Sequence, residues 1–503
     1  MKKWIAVFIC LIVFSPFVSA DFDFSKIKNK VSEFTLANGL KFILLENHDV
    51  PITTFVTYVN AGSSDEPNGM WGVSHVLEHM AFKGTAEIGT KDIVAEQKAL
   101  KKMDDLFDLI LAEKDSLTPD QEKIKKLEAE LNLLGTEAAK YVLDNDYDSL
   151  LKRNGAVGLN AGTSADSTVY FLSTPSNKVE LWAYLESQRF TEPVFREFYK
   201  EREVIKEERR VRSENSPIGK LIEELLSISF KDHPYQVNAI GPMSNLSHLR
   251  RGELERYFRT NYTAKNMLIG VVGDITPEQL KKIAEKYFAK IPAGKKNNQV
   301  FTVEPPQRGE KTVTIIEDSQ PWLILAYHCP AYSHADFVKF SILDQILTMG
   351  RSSRLNKKMV IQDKSTLGVG SFTGFPGNKY PGLYLILALP SQGHSTSELL
   401  AVIDNEIEKI ITDAITEEEL TSAKTREKVN FIRGMGSDQG LMMSMLTSEV
   451  KLGSWQKSFA ELAEIEKITA QDIQELVKTY LVRNNRAIAR IEKLAEKKEE
   501  VKK

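Results

Sequence analysis

His75-Val76-Leu77-Glu78-His79 puts two imidazoles and a carboxylate within five residues, and the reading of the whole chain turns on it. In a helix, residues four apart stand one turn above each other on one face, so both histidines can address a single metal ion. Glu78 borders the same face, where its carboxylate can take a proton from a water that zinc has acidified to a pKa of about 7. The flanking Val73, Val76, Leu77, Met80 and Phe82 are apolar, so the segment should be largely buried. A surface helix that merely carries two histidines and a glutamate fits those flanks poorly. Unpartnered polar groups are costly in apolar surroundings, and one metal satisfies all three.

The chain around this pentapeptide is 503 residues long, too long for one ordinary domain, and its apolar fraction of 42% is ample for packed cores. A net charge of only -3, with no sustained basic surface, gives no support to a nucleic-acid partner. Residues 1–20 read as a secretory signal peptide: Lys2-Lys3, an apolar run from Trp4 to Phe14, then Val18-Ser19-Ala20 as a small-residue cleavage site. An uncleaved anchor is the alternative, although the run is short for spanning a bilayer. No later stretch is long and apolar enough to span, so a soluble mature protein is expected. Cys10 lies in the signal without the small residue that a lipoprotein places before it. Cys329 is then left alone and cannot close an internal disulfide.

Residues 33–61 predict strands with a turn at Asn38-Gly39, and residues 51–59 are rich in β-branched and aromatic side chains. Residues 93–142 turn helical and charged, broken at Thr118-Pro119, with Thr118 as the expected cap and Pro119 as the first helical residue. This predicts a helical hairpin; a coiled-coil partner site is another use of the same apolar stripe. Residues 157–172 alternate as strands do, and residues 179–212 predict a helix. Within that helix the charged run 200–210 offers carboxylates, one of which can complete a metal site that needs a third protein ligand.

The chain also resembles itself. Leu249, Leu254, Tyr257, Asn261 and Asn266 lead into an apolar strand at 267–272, as Ile468, Ile473, Leu476, Tyr480 and Asn485 lead into one at 487–491. Between them, residues 292–298 are polar and helix-breaking. The fold class expected is therefore α+β in two similar domains, 30–292 and 300–492, with the helical hairpin as an insertion at about 100–150 and a charged tail at 493–503.

With these pieces placed, the chain resembles the pitrilysin/insulinase family of zinc metallopeptidases, in the short-subunit branch that includes the mitochondrial processing peptidase. The matching stretches are Leu36-Ala37-Asn38-Gly39-Leu40, Asn60-Ala61-Gly62-Ser63, the block from Gly72 to Thr85, the run from Glu201 to Glu208, and Gly350-Arg351-Ser352-Ser353-Arg354-Leu355. The HxxEH order of the pentapeptide, the reverse of HExxH, is the inverzincin signature.

The resemblance implies zinc held by His75, His79 and Glu208, with Glu78 as general base and Glu201 as a supporting carboxylate two helical turns before Glu208. Glu207 is the competitor, pointing about 100° away around the helix. The strand around Asn160 and Ala161 resembles the family's edge strand, which pairs with an extended substrate backbone. An unpaired edge offers amides and carbonyls to any extended peptide, and an ordinary buried strand is the plainer reading. The insertion between His79 and Glu208 carries none of the family's signatures; a lid or a partner contact are the two uses it suggests.

The function implied is that of a secreted zinc endopeptidase of the bacterial periplasm, against a non-catalytic assembly subunit derived from the same family. Active members complete the zinc half with an arginine and a tyrosine, seven residues apart, from a half lacking zinc. Here the corresponding segment, residues 358–369, has neither residue. The expected partner is thus a similar subunit without HxxEH that supplies the pair, the alternative being a homodimer that uses Tyr380 or Tyr384.

Overall fold

The computed structural model describes residues 25–296 and 300–493, so the expected signal peptide and nearly all of the tail lie outside the described residues. The first sheet contains β1 (Val31–Thr35), β2 (Lys41–Glu46), β3 (Ile52–Val59), β4 (Val157–Thr163), β5 (Thr168–Pro175) and β6 (Met267–Gly273), in the order β1-β2-β6-β3-β5-β4. The second contains β7 (Lys311–Ile316), β8 (Trp322–Cys329), β9 (Thr366–Phe375), β10 (Gly382–Pro390) and β11 (Arg486–Glu492), in the order β7-β11-β8-β10-β9. In each sheet one pair is parallel, β2 with β6 and β7 with β11, and every other pair is antiparallel.

Apart from β1 the two sheets have one plan, strand for strand. The repeat read from the sequence supplies the last strand of each in chain order. Helix Arg251–Asn261 leads through a short turn into β6, and helix Ala470–Tyr480 leads through a like turn into β11. The asparagine closing each turn does the same work: Asn266 donates to the Asn261 carbonyl at 2.8 Å and Asn485 donates to the Tyr480 carbonyl at 2.8 Å.

The halves are joined by exchange of helices. Pro217–Ser229 precedes the linker yet buries Leu221, Leu225 and Leu226 against Ile324, Leu385, Ala487 and Ala489 of the second sheet. Asp438–Leu452 comes from the second half and buries Met442, Met445 and Leu446 against Val56, Tyr58 and Val272 of the first. Gly270 permits this approach, since a Cβ there would lie 2.2 Å from Met442 Cγ. At the junction, buried Asp166 accepts from the Asn378 and Lys379 amides at 2.9 Å each and from Lys451 Nζ at 2.6 Å.

Two helix limits differ from expectation. The hairpin forms as Ile93–Lys114 and Gln121–Ala139, but Asp120 rather than Thr118 caps its second arm, accepting from the Glu122 and Lys123 amides at 3.0 and 3.1 Å. A carboxylate also answers the positive end of the helix, which a threonine hydroxyl does not. The single helix expected over 179–212 is two, Val179–Thr191 and Phe198–Arg209, followed by a wide turn at Arg210–Glu214. Pro193 breaks it, having no amide to donate and disfavouring helical backbone at the residue before it. The second of these helices starts after Glu197, which takes φ +57°.

Candidate metal centre

The pentapeptide lies in the helix Val73–Met80, whose apolar side, Val73, Val76, Leu77 and Met80, is fully within the core of the first half. Its start is fixed from outside the helix. Gly72 takes φ +96°, where a Cβ would lie 2.6 Å from the Ile240 carbonyl, and it has no side chain to cap the first turn. Glu66 caps it instead, accepting from the Gly72 and Ser74 amides at 2.7 and 2.8 Å. Tyr257 holds Ser74 Oγ at 2.8 Å, so the turn before His75 is pinned on two sides.

From this helix His75 and His79 meet Glu208 of the helix Phe198–Arg209. His75 Nε2 lies 3.8 Å from Glu208 Oε1, and His79 Nε2 lies 3.4 Å from Glu208 Oε2. One donor atom from each of the three residues falls within 4.8 Å of the others. Glu207, by contrast, faces solvent and pairs with Arg210 at 2.7 Å. Glu201 stands two turns before Glu208 on the same side, 2.9 Å from His79 Nδ1 and 2.7 Å from Lys83 Nζ. Its hydrogen bond takes the Nδ1 proton of His79 and leaves the Nε2 lone pair facing Glu208.

The electrostatics follow from this packing. Burial holds His75 neutral, with a pKa of about 3, helped by the neighbouring His79 and Arg212. Burial also acts to lower His79, but the Glu201 hydrogen bond and the Glu201, Glu208 and Glu78 carboxylates outweigh it and raise its pKa. For Glu201, burial acts upward but the contacts to His79 and Lys83 win, and its pKa falls to about 2. Glu78 is pushed above the usual glutamate range by burial, which a hydrogen bond from Thr163 only partly offsets.

Two imidazole nitrogens and one carboxylate oxygen are the donor set of a catalytic zinc site with an open position. The chain fits that ion on two observations. Burial disfavours the charged form of His75 and so favours the form that ligates, and its buried Nδ1 has no hydrogen-bond partner among the described residues. Three donor atoms from two separate helices converge, with a carboxylate holding the outer nitrogen of one histidine.

β4 is the outer strand of its sheet, and among the described residues no strand pairs with its free side. Asn160 is exposed there and Ala161 half-buried. At the end of β4, Thr163 Oγ1 donates to Glu78 Oε2 at 2.7 Å, which joins the edge strand to the pentapeptide. Sequence reasoning assigned no role to Thr163, Glu66, Lys83 or Arg212. Arg212 pairs with Glu208 Oε1 at 2.8 Å and stands four residues after it, a spacing that was readable; Glu66 and Thr163 carry no short-range signal at all. Of the tyrosines considered as substitute donors, Tyr384 is wholly buried in the second core, and Tyr380 lies against His233 and accepts from the Val300 amide at 2.9 Å.

The profile described as "Insulinase (Peptidase family M16)" matches residues 41–102, and that described as "Peptidase M16 inactive domain" matches residues 248–427. A zinc protease, PqqE, of Helicobacter pylori is 27% identical over 86% of this chain and 87% of its own length. The mitochondrial-processing peptidase subunit beta of Lentinula edodes is 22% identical over 90% of this chain and 88% of its own. Among solved structures, a protease from Helicobacter pylori superposes with a TM-score of 0.76 at 22% identity, covering 92% of this chain and 99% of the other. The periplasmic protease PqqL of Escherichia coli superposes with a TM-score of 0.65 at 16% identity, covering 92% of this chain but 47% of that protein.

Proposed function

The chain belongs to the insulinase family of peptidases, M16, and we propose that it is a secreted zinc-dependent endopeptidase that cleaves extended peptides as the catalytic subunit of a heterodimer. The observation that carries this reading is the convergence of His75, His79 and Glu208 beside a Glu78 tied to the edge strand. A non-catalytic assembly subunit has no use for all four side chains.

His75, His79 and Glu208 would hold the metal. Bound zinc supplies Lewis acidity, lowering the pKa of a water to about 7 and polarising a carbonyl. The chain's own residues do the rest. β4 receives the substrate as a further strand, with Asn160 and Ala161 along its backbone, so affinity comes from main-chain hydrogen bonds and demands no particular sequence. Thr163 occupies Glu78 Oε2, which leaves Oε1 to take the proton of the attacking water and return it to the leaving amine. The raised pKa of Glu78 strengthens it as a base near neutral pH. Glu201, held ionised by its contacts to His79 and Lys83, keeps the ring of His79 in place.

Heterodimerisation draws on the absence of arginine and tyrosine from 358–369, on the burial of Tyr384, and on two likenesses. One relative is named as a beta subunit, and PqqL is about twice the length that this chain covers. Secretion rests on the character of residues 1–20, and the periplasm is also the compartment in PqqL's name. Chelation tests the zinc reading: cleavage of an unstructured peptide should stop on metal removal and return on adding one equivalent of zinc, whereas cleavage that survives chelation contradicts it.

A further inference from the structure

The hairpin insertion borders an open cavity of about 800 Å³ against the back of the helix Phe198–Arg209. Tyr199, Arg202, Glu203 and Lys206 of that helix line it, while Glu201 and Glu208 of the same helix face the histidines. Its volume lies within the roughly 300–1,000 Å³ typical of small-molecule sites. Its hairpin wall is apolar and buried, with Leu100, Met103, Phe107, Ile110 and Leu131.

Among the described residues, the five cations that line the cavity face four carboxylates, Glu96, Glu128, Glu197 and Glu203. Arg196 has Glu96 at 2.8 Å, and Lys114 has Glu128 at 2.7 Å. Lys200 has Glu197, and Lys206 has Glu203, both at 2.7 Å. Arg202 shares its carboxylate, Glu203, with Lys206. It is 6% exposed, it reaches Glu203 at 3.3 Å and the Leu249 carbonyl at 3.4 Å, and its Nε has no hydrogen-bond partner among the described residues. Its guanidinium carbon sits 4.2 Å from the centre of the Phe107 ring, a contact that orients the group but does not neutralise it. A buried guanidinium without a full set of acceptors is costly, and a carboxylate is the planar anion that its geometry matches.

We propose that this cavity is a binding site for a small amphiphile with one carboxylate and an aliphatic body, the carboxylate on Arg202 and the body against Phe107, Met103 and Leu131. The observations behind it are independent of the peptidase reading, since none of the proposed zinc ligands lines the cavity.

Titration calorimetry of the full chain with octanoate tests it, with 1-octanol as the uncharged control. Octanoate should bind saturably, one per chain, and 1-octanol at least tenfold more weakly. Arg202→Met should weaken octanoate at least tenfold while zinc content stays that of the wild type. Gly135→Phe fills the cavity from the second arm of the hairpin, where a Cβ meets only the flexible end of Met103 at 3.5 Å, and should abolish binding. No saturable octanoate binding, equal binding of 1-octanol, or an unchanged affinity in Arg202→Met overturns the proposal. If Arg202→Met does not fold, Gly135→Phe decides, and undiminished binding to it is the overturning result.

Discussion

Thr163 at the end of the edge strand donates a 2.7 Å hydrogen bond to Glu78, the carboxylate of the pentapeptide, so the strand proposed to receive substrate is tied directly to the proposed base. Thr163→Val removes the donor and keeps the shape. Hydrogen bonds to charged groups are worth about 1.5–3 kcal/mol, so a loss of roughly tenfold or more in kcat is expected, with zinc content unchanged and partial rescue by Thr163→Ser. The pH profile separates this from a merely structural effect. Burial raises the Glu78 pKa and Thr163 lowers it, so loss of Thr163 raises it further. The base must be ionised to act, so the acid limb of kcat/KM should move to higher pH.

Glu208 and Glu207 are neighbours in sequence and on different faces of one helix. Glu208→Gln should reduce zinc affinity sharply, whereas Glu207→Gln should leave it within error, because an exposed helix face tolerates substitution. Glu201→Gln should fall between, at about 10- to 100-fold in affinity or activity, as carboxylates that orient a ligating histidine do. Zinc titration of the three variants checks the order, and a reversal of Glu207 and Glu208 would show that the helix register is wrong.

Much of this was legible in the sequence. The pentapeptide's apolar flanks gave its burial, the paired asparagines Asn266 and Asn485 gave the repeat, and residues 100–150 gave the hairpin. The exchange of helices was not legible. Leu221 and Met442 have the spacing of any core helix, and nothing local says which sheet they cover. Glu66 and Thr163 were missed for the same reason, since each acts on a residue that only the tertiary fold brings near. The break at Pro193 was in plain view and was overridden by the helical pattern on either side of it.

The absence of an arginine and a tyrosine from 358–369, together with the burial of Tyr384, predicts an incomplete catalytic unit. Donors aimed at the developing negative charge are often the largest single catalytic contribution, and valine or leucine cannot supply them. Purified alone, the chain should bind zinc yet cleave unstructured peptides weakly. Co-expression with a similar two-domain subunit that lacks HxxEH and carries the pair should restore the rate, and full activity of the isolated chain, unaltered by any partner, contradicts the heterodimer.

The most direct measurement is zinc content and peptide cleavage, side by side, for the wild type and Glu78→Gln, each with the completing subunit present. Removing a general base from an otherwise intact site costs about 10²- to 10⁴-fold. Equal, stoichiometric zinc in both proteins with cleavage reduced by that factor in Glu78→Gln is the predicted result; equal cleavage by the two would contradict it.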